Sequence, residues 1–355
     1  MTETMVRLDE VEKLYGAVRA LWPTSLQIQK GEFVTLLGPS GSGKTTILNL
    51  ISGSIGATCG AIWIGNRDVT KLPPNRRELG MVFQNYALMP HMTVFENIAF
   101  PLRVRKRSEA DIRKRVDEVL EVVSLAGYGE RKPKELSGGQ QQRIAIARCL
   151  VYDPDLILMD EPLGALDKKL RDQLQLEIKR IHKTLGVTLL YVTHDQSEAL
   201  VLSDRICLMN GGRIEQLGTP DDLYFRPRTI FAADFLGESN IIDASMEADG
   251  GSARISTAGG LVVEGVPTDT KAASAKIMIR PESFTVDTGD GFARNGVQGV
   301  VEDTILTGGV IDIRLRLKDG SLISIRQLTR RDFRSIQHGQ QISVSVKPTD
   351  VVVLQ

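Results

Sequence analysis

The stretch Gly38-Pro-Ser-Gly-Ser-Gly-Lys-Thr-Thr46 lies between two apolar runs, Phe33 to Leu37 and Ile47 to Ile51. It reads as strand, tight loop, helix. The pattern G-x-x-x-x-G-K-[ST] uses Gly38, Gly41 and Gly43 to bring backbone N–H groups close to phosphate oxygens. The helix start adds the positive end of its dipole to the same concavity. Pro39, Ser40 and Ser42 complete the loop, and Thr46 carries it into the helix. Lys44 supplies a point charge for the outer phosphates, and Thr45 offers a hydroxyl to Mg²⁺. The loop predicts a nucleoside triphosphate bound with magnesium.

A chain of 355 residues has room for at least two domains, each with its own core. Its 44 basic and 44 acidic residues cancel, so the overall charge favours neither nucleic acid nor an anionic membrane. Cys59, Cys149 and Cys207 are widely spaced among apolar neighbours, which fits neither a disulfide framework nor a zinc site. They read as buried free thiols in a reducing cytoplasm. The segment Met1 to Glu12 lacks the apolar core of a signal peptide, and no run is long enough to span a bilayer. A role at a membrane must come through a partner.

In chain order, Val6 to Leu14 and Leu21 to Ile28 read as two antiparallel strands about Tyr15-Gly16. Tyr15 is either a stacking face for a nucleobase or an ordinary strand tyrosine. Gly60 to Ile64 and Leu79 to Phe83 read as short strands around Pro73-Pro74, with Gln84 ending the second. Asn85 to Phe100 holds more apolar residues, among them Tyr86, Leu88, Met89 and Phe95, than an exposed loop needs. A docking surface is the preferred reading, and packing within a helical subdomain the other. From Glu109 to Val123, apolar residues recur at three and four, as on an amphipathic helix. Ser137 is a good N-cap, and Gly138 and Gly139 behind it leave N–H groups open to an anion, with Gln140 following.

Leu156 to Met159 is the continuous apolar run of a strand buried on both faces, and it ends in Asp160-Glu161. Carboxylates there sit at the sheet edge where open α/β folds hold ligands. Neighbours on a strand point opposite ways, so Asp160 suits a hold on Mg²⁺ and Glu161 a base for the attacking water. Asp167 caps a helix reaching about Thr184. Thr188 to Thr193 is another apolar strand, bringing His194 to the same edge as a donor to the γ-phosphate. Arg205 to Leu217 reads as a hairpin about Asn210-Gly211-Gly212.

Together these residues make the chain resemble the ATP-binding subunit of an ABC transporter, from about Val6 to Leu236. By that resemblance the Walker A loop is Gly38 to Thr45, the Q-loop glutamine Gln84 and the signature Leu136 to Gln140. Walker B is Asp160 with Glu161, the D-loop Ala165-Leu166-Asp167, and the switch histidine His194. The resemblance implies a P-loop α/β cassette over residues 1–236, with a RecA-like core, a small antiparallel β element and a helical subdomain over about 86–152. It also implies that Tyr15 stacks on adenine and that Gln84 serves both at Mg²⁺, with Thr45 and Asp160, and beside Glu161 and His194. Ser137, Gly138, Gly139, Gln140 and Asp167 join the nucleotide contacts. Two copies would meet head to tail, Ser137 and Gly139 of one facing the γ-phosphate held by Lys44 of the other. Asn85 to Phe100 would meet the transmembrane permease subunits.

Beyond Gly218 to Asn240, which looks like a linker with short helices, the pattern changes. Ile311 to Leu317 alternates strictly, Asp319-Gly320 is a turn, and Leu322 to Ile325 resumes the alternation; Gln341 to Val346 and Val351 to Leu354 add strands. Residues 237–355 read as an all-β domain of OB type. It resembles the TOBE regulatory domain of importer ATPases, with Ile279-Arg280-Pro281-Glu282 matching a motif recurrent there. Phe284, Phe292 and Phe333 are too scattered for a nucleic-acid face.

The expectation is an ATPase subunit, peripheral on the cytoplasmic face of a bacterial inner membrane, serving two permease subunits and an extracytoplasmic binding protein. Segments such as Gln84 to Phe100 and Phe235 to Asn240 look most like the spermidine/putrescine group; ferric-iron, sulfate and sugar importers share much of the pattern. A soluble ABC ATPase of another kind and a nonhydrolytic switch are the competing readings. Against the first stands the single compact cassette, against the second the presence of both Glu161 and His194.

Overall fold

The computed structural model describes residues 3–164, 166–270, 272–287, 295–329 and 336–354. Ala165 of the D-loop, Phe292 and Phe333 lie outside the described residues. The chain divides into two compact units, Met1–Pro220 and Asp221–Gln355.

In the first unit, β1 (Thr4–Tyr15) and β2 (Val18–Gln29) pair antiparallel about Gly16, whose φ of 59° suits a residue without Cβ. β3 (Phe33–Leu37) is buried at every position, as a central strand covered on both faces requires. It runs through the glycine loop into α1 (Lys44–Ser52). β4 (Cys59–Ile64) and β5 (Arg67–Asp68) return to the first sheet, whose order is β2-β1-β4-β5. β6 (Gly80–Val82) joins a second sheet, so the strands expected on either side of Pro73-Pro74 belong to different sheets. The buried Arg77 fixes that crossing: its Nη1 donates to the carbonyls of Leu50 and Ile51 at 2.7 and 2.8 Å, satisfying the end of α1.

α2 (Val94–Val104) opens with a capping box between Thr93 and Glu96. α3 (Glu109–Val122) buries Ile112, Val116, Val119 and Leu120, the stripe its periodicity predicts. α4 (Gly138–Leu150) begins at Ser137, which accepts from the Gln140 N–H. These helices share a core with Tyr86, Leu88 and Phe95. Tyr86, Leu88 and Phe95 are therefore packed within the helical subdomain, while Phe100 is the large apolar residue of the segment left exposed.

β7 (Leu156–Asp160), α5 (Lys168–Leu185), β8 (Thr188–Thr193), α6 (Gln196–Leu202), β9 (Arg205–Asn210) and β10 (Arg213–Gly218) complete the unit. The second sheet has the order β10-β9-β3-β8-β7-β6. All its neighbours run parallel except β9 and β10, a hairpin turned by Gly211 and Gly212 at φ of 53° and 77°. The carboxyl ends of β3, β7 and β8 thus share one edge. Cys149 and Cys207 are buried, but Cys59, at the start of β4, is exposed and departs from the expectation for all three thiols.

The second unit starts with α7 (Pro220–Phe225) and α8 (Ile230–Phe235), helices of the segment that the sequence pattern assigns to a linker before a boundary at 236. The reason for their membership is Arg280, 2% exposed, which donates to the carbonyls of Tyr224 (2.8 Å) and Ala233 (3.0 Å) and to Ser239 Oγ (2.7 Å). The strands are β11 (Asn240–Asp249), β12 (Ser252–Thr257), β13 (Val262–Pro267), β14 (Ser274–Ile279), β15 (Phe284–Asp287), β16 (Gly296–Leu306), β17 (Val310–Arg316), β18 (Leu322–Leu328), β19 (Gln341–Val346) and β20 (Val351–Leu354). They form two antiparallel five-stranded sheets, β13-β12-β11-β14-β20 and β15-β19-β16-β17-β18. Ile255 and Ile277 from one sheet meet Ile313 and Val344 from the other in a common core.

Candidate functional site

The loop after β3 has the backbone that its sequence requires. Gly41 and Gly43 have φ of 79° and 100°, and a Cβ on Gly38 would lie 2.3 Å from the Met209 carbonyl oxygen. The β9–β10 turn supports the loop from behind, with Gly212 N–H donating to Ser42 O at 3.1 Å. Lys44 is 5% exposed, and its Nζ donates to the carbonyls of Gly38 (2.8 Å) and Pro39 (2.9 Å). Burial lowers its pKa, opposed by the charges of Glu161 and Asp160. Thr45 is exposed on the first turn of α1, where its hydroxyl is available.

Asp160 ends β7 half-buried. Burial, and then the neighbouring Glu161, push its carboxyl up, while Lys44 pulls it down. Glu161 does not follow strand alternation: its φ is 42°, in the left-handed region, where a non-glycine residue is strained. Its N–H donates to Val192 O of β8 at 3.0 Å, which holds that conformation. Its Oε1 lies 3.2 Å from Nδ1 of His194, and its Oε2 accepts from Gln84 Nε2 at 3.4 Å. Lys44, Gln84, Asp160, Glu161 and His194, from four separate stretches of sequence, therefore form one cluster at the sheet edge.

Other predicted residues stand apart from it. Among the described residues no hydrogen bond or ion pair links Ser137–Gln140 to Lys44, Asp160 or Glu161. Ser137 instead forms a capping box with Gln140, and Gly139 is packed, a Cβ there reaching within 2.9 Å of Leu170 Cδ1 on α5. Asp167 is the N-cap of α5, accepting from the Leu170 N–H at 3.0 Å. Tyr15 is 51% exposed at the end of β1, with Lys13 Nζ 4.9 Å from its ring centroid.

The donor set suits the expected ligands. A glycine-lined loop with a lysine fits phosphate oxygens. Thr45, Gln84 and Asp160 offer a hydroxyl, an amide and a carboxylate, the hard oxygen ligands that Mg²⁺ takes beside phosphates and water.

The sequence compares as follows. The family model described as ABC transporter matches residues 21–164, and that described as TOBE domain matches 277–354. The chain is 44% identical to the spermidine/putrescine import ATP-binding protein PotA of Thermobifida fusca, over 98% of this chain and 93% of that protein. It is likewise 44% identical to the same-named protein of Rubrobacter xylanophilus, over 96% and 91%. The chain belongs to the ABC transporter family, as one of its ATP-binding proteins. Among solved structures, the dimeric post-hydrolysis state of the ATP-binding cassette MJ0796, bound to ADP and Pi, aligns at 36% identity and a TM-score of 0.54. It covers 61% of this chain and 99% of that one. This ABC protein is an ATPase that binds ATP.

Sequence reasoning passed over several residues that shape the ABC site. Arg148 of α4 donates to Ala87 O (2.7 Å) and Tyr86 O (2.9 Å), two residues held at φ of 46° and 60° just after Gln84. Asn97, fully buried in α2, exchanges hydrogen bonds with Met89 N and O at 2.8 and 3.1 Å. For Asn97 the signal is a polar residue on the buried face of a helix; Arg148 carries none.

Proposed function

We propose that this chain is the ATP-hydrolysing motor of an importer whose cargo is a polyamine, putrescine or spermidine. What carries the reading is agreement over nearly the whole chain, cassette and β unit alike, with proteins named as spermidine/putrescine import ATP-binding proteins.

In this reading Gly38 to Thr46 cradle the triphosphate, Lys44 meets its outer phosphates and Tyr15 stacks on the adenine. Thr45, Gln84 and Asp160 would hold Mg²⁺, which when bound would neutralise charge on the phosphates. Glu161 orients the attacking water and takes its proton. With Nδ1 turned to Glu161, His194 donates from Nε2 to a γ-phosphate oxygen when both ring nitrogens are protonated. Gln84 touches the same carboxylate from the other side.

The separation of Ser137–Gln140 from this cluster supports a head-to-tail homodimer, in which the signature of one copy completes the site of the other beside Asp167. ATP then favours the closed pair and its hydrolysis the open one. The segment Asn85 to Phe100, with Phe100 exposed, faces two permease subunits, through which an extracytoplasmic binding protein delivers cargo. No described helix is long and apolar enough to cross a membrane, which fits peripheral attachment to the cytoplasmic face of an inner membrane.

The test is ATPase activity of the complete complex in lipid, with a binding protein loaded with putrescine or spermidine. Stimulation by the loaded protein, absent in Glu161→Gln, is expected. Turnover indifferent to polyamines would overturn the cargo and turn the same assay to iron, sulfate and sugars.

A further inference from the structure

A group of charged residues beside His194 has no part in the chemistry above. Arg171, on the first turn of α5, donates from Nη1 to Asp195 Oδ2 at 2.9 Å and from Nη2 to the carbonyl of Leu166 at 3.1 Å. Asp195 Oδ1 accepts from the Glu198 N–H at 3.1 Å, capping α6, while the Asp195 N–H donates to Thr193 Oγ1 at 3.0 Å. Thr193 Oγ1 donates in turn to Glu198 Oε2 at 2.8 Å, and Tyr191 OH donates to the same oxygen at 2.7 Å. Glu198 is 2% exposed, and burial pushes its carboxyl up. The residues on both sides of His194 are thus pinned, while its ring stays exposed and meets Glu161.

We propose that Arg171 is a positioning residue that couples the Leu166 segment to the backbone of His194, fixing where the imidazole meets Glu161. The inference rests on the reading of His194 as the γ-phosphate donor. A guanidinium is a rigid planar fork, so its two nitrogens bond Leu166 and Asp195 together and set their separation. A lysine has a single nitrogen and no such fork. The bridge joins residues on either side of α5: Leu166 follows the acid in the chain, and Asp195 follows the histidine. When the Leu166 segment moves, the backbone of His194 moves with it, and a displacement of about 1 Å at reacting groups costs about 10²-fold in rate.

The experiment is a double-mutant cycle on the full chain, measuring single-turnover ATP hydrolysis for Arg171→Met, His194→Ala and the pair. Arg171→Met is expected to lower the rate about 10- to 100-fold, with ATP affinity within about twofold. In the His194→Ala background the same substitution should change the rate by less than about twofold, because its route of action has gone. Equal factors in both backgrounds, or native activity in Arg171→Met, overturn the inference and leave the assignment of His194 standing. Native activity in His194→Ala overturns that assignment and the inference with it. If Arg171→Met does not fold, Asp195→Asn replaces it, since asparagine still caps α6 but lacks the charge facing Arg171. The same non-additivity is expected, and additivity overturns the proposal.

Discussion

Nδ1 of His194 lies 3.2 Å from Oε1 of Glu161, across the carboxyl ends of the adjacent parallel strands β8 and β7. The Glu161 N–H still bonds Val192 O of β8, so the acid is held at the very end of the ladder, one residue beyond β7. Glu161 is turned by its left-handed backbone, and His194 is carried between two pinned neighbours. Strain at the carboxylate and freedom at the imidazole are thus opposite solutions to one geometric demand.

Replacing Glu161 with glutamine keeps the shape of the side chain and one of the two acceptors that face Gln84 and His194, but removes the base. Phosphate release should fall by about 10² to 10⁴-fold while equilibrium ATP binding persists. Fluorescent-nucleotide titration and phosphate release on one preparation measure both. Hydrolysis at the native rate would remove Glu161 from the chemistry.

Tyr15 is half-exposed, with Lys13 Nζ 4.9 Å from its ring centroid. Tyr15→Ala should weaken ATP binding by about 1–3 kcal/mol, the usual worth of a base–aromatic stack, and Tyr15→Phe should not. Equal losses in the two variants would assign the effect to the hydroxyl instead.

Asn97→Ala would leave the Met89 N–H without its acceptor, while the carbonyls of Met89 and Thr93 keep the backbone N–H groups of residues 92 and 97. A loss of about 2–3 kcal/mol in unfolding free energy is expected from denaturant titration. If residues 85–100 meet the permease, coupling of ATPase to cargo in the complex should suffer more than turnover by the free chain.

Burial pushes the thiol of Cys149 up to about 11 and that of Cys207 to about 12. Because the unfolded chain releases these protons first, near pH 9, the stability they contribute is whole below that pH. It is lost as pH rises through 9 towards 11 and 12. Between pH 8 and 10 the two thiols together should cost about 2–3 kcal/mol, seen in urea unfolding at each pH. A Cys149→Ala/Cys207→Ala chain should show a smaller difference between the two conditions.

The sequence showed the sheet edge more clearly than its surroundings. Continuous apolar runs are sufficient for β7 and β8, and the glycine spacing dictates the loop before α1, because each is settled by residues adjacent in the chain. Arg148 and Arg171 were not visible in this way. Their acceptors lie 61 and 24 residues away at Ala87 and Asp195, and a helical arginine looks the same whether it meets water or a carbonyl. Tyr86, just after Gln84, and Phe95, in the first turn of α2, show the converse: an apolar side chain states that it will be covered, not by what. The left-handed turn at Glu161 was also hidden, since nothing in Asp160-Glu161-Pro162 distinguishes it from a strand that simply ends.

Arg280 has a consequence for anyone dividing this chain. The helices at 220–225 and 230–235 hang on its guanidinium through Tyr224 and Ala233, so they are part of the β unit's structure. A truncated cassette ending at 236 would keep both helices and discard the side chain that holds them, exposing apolar surface such as Ala233 and leaving their last carbonyls open. The natural seam for cutting, or for exchanging β units between relatives, is at residue 220.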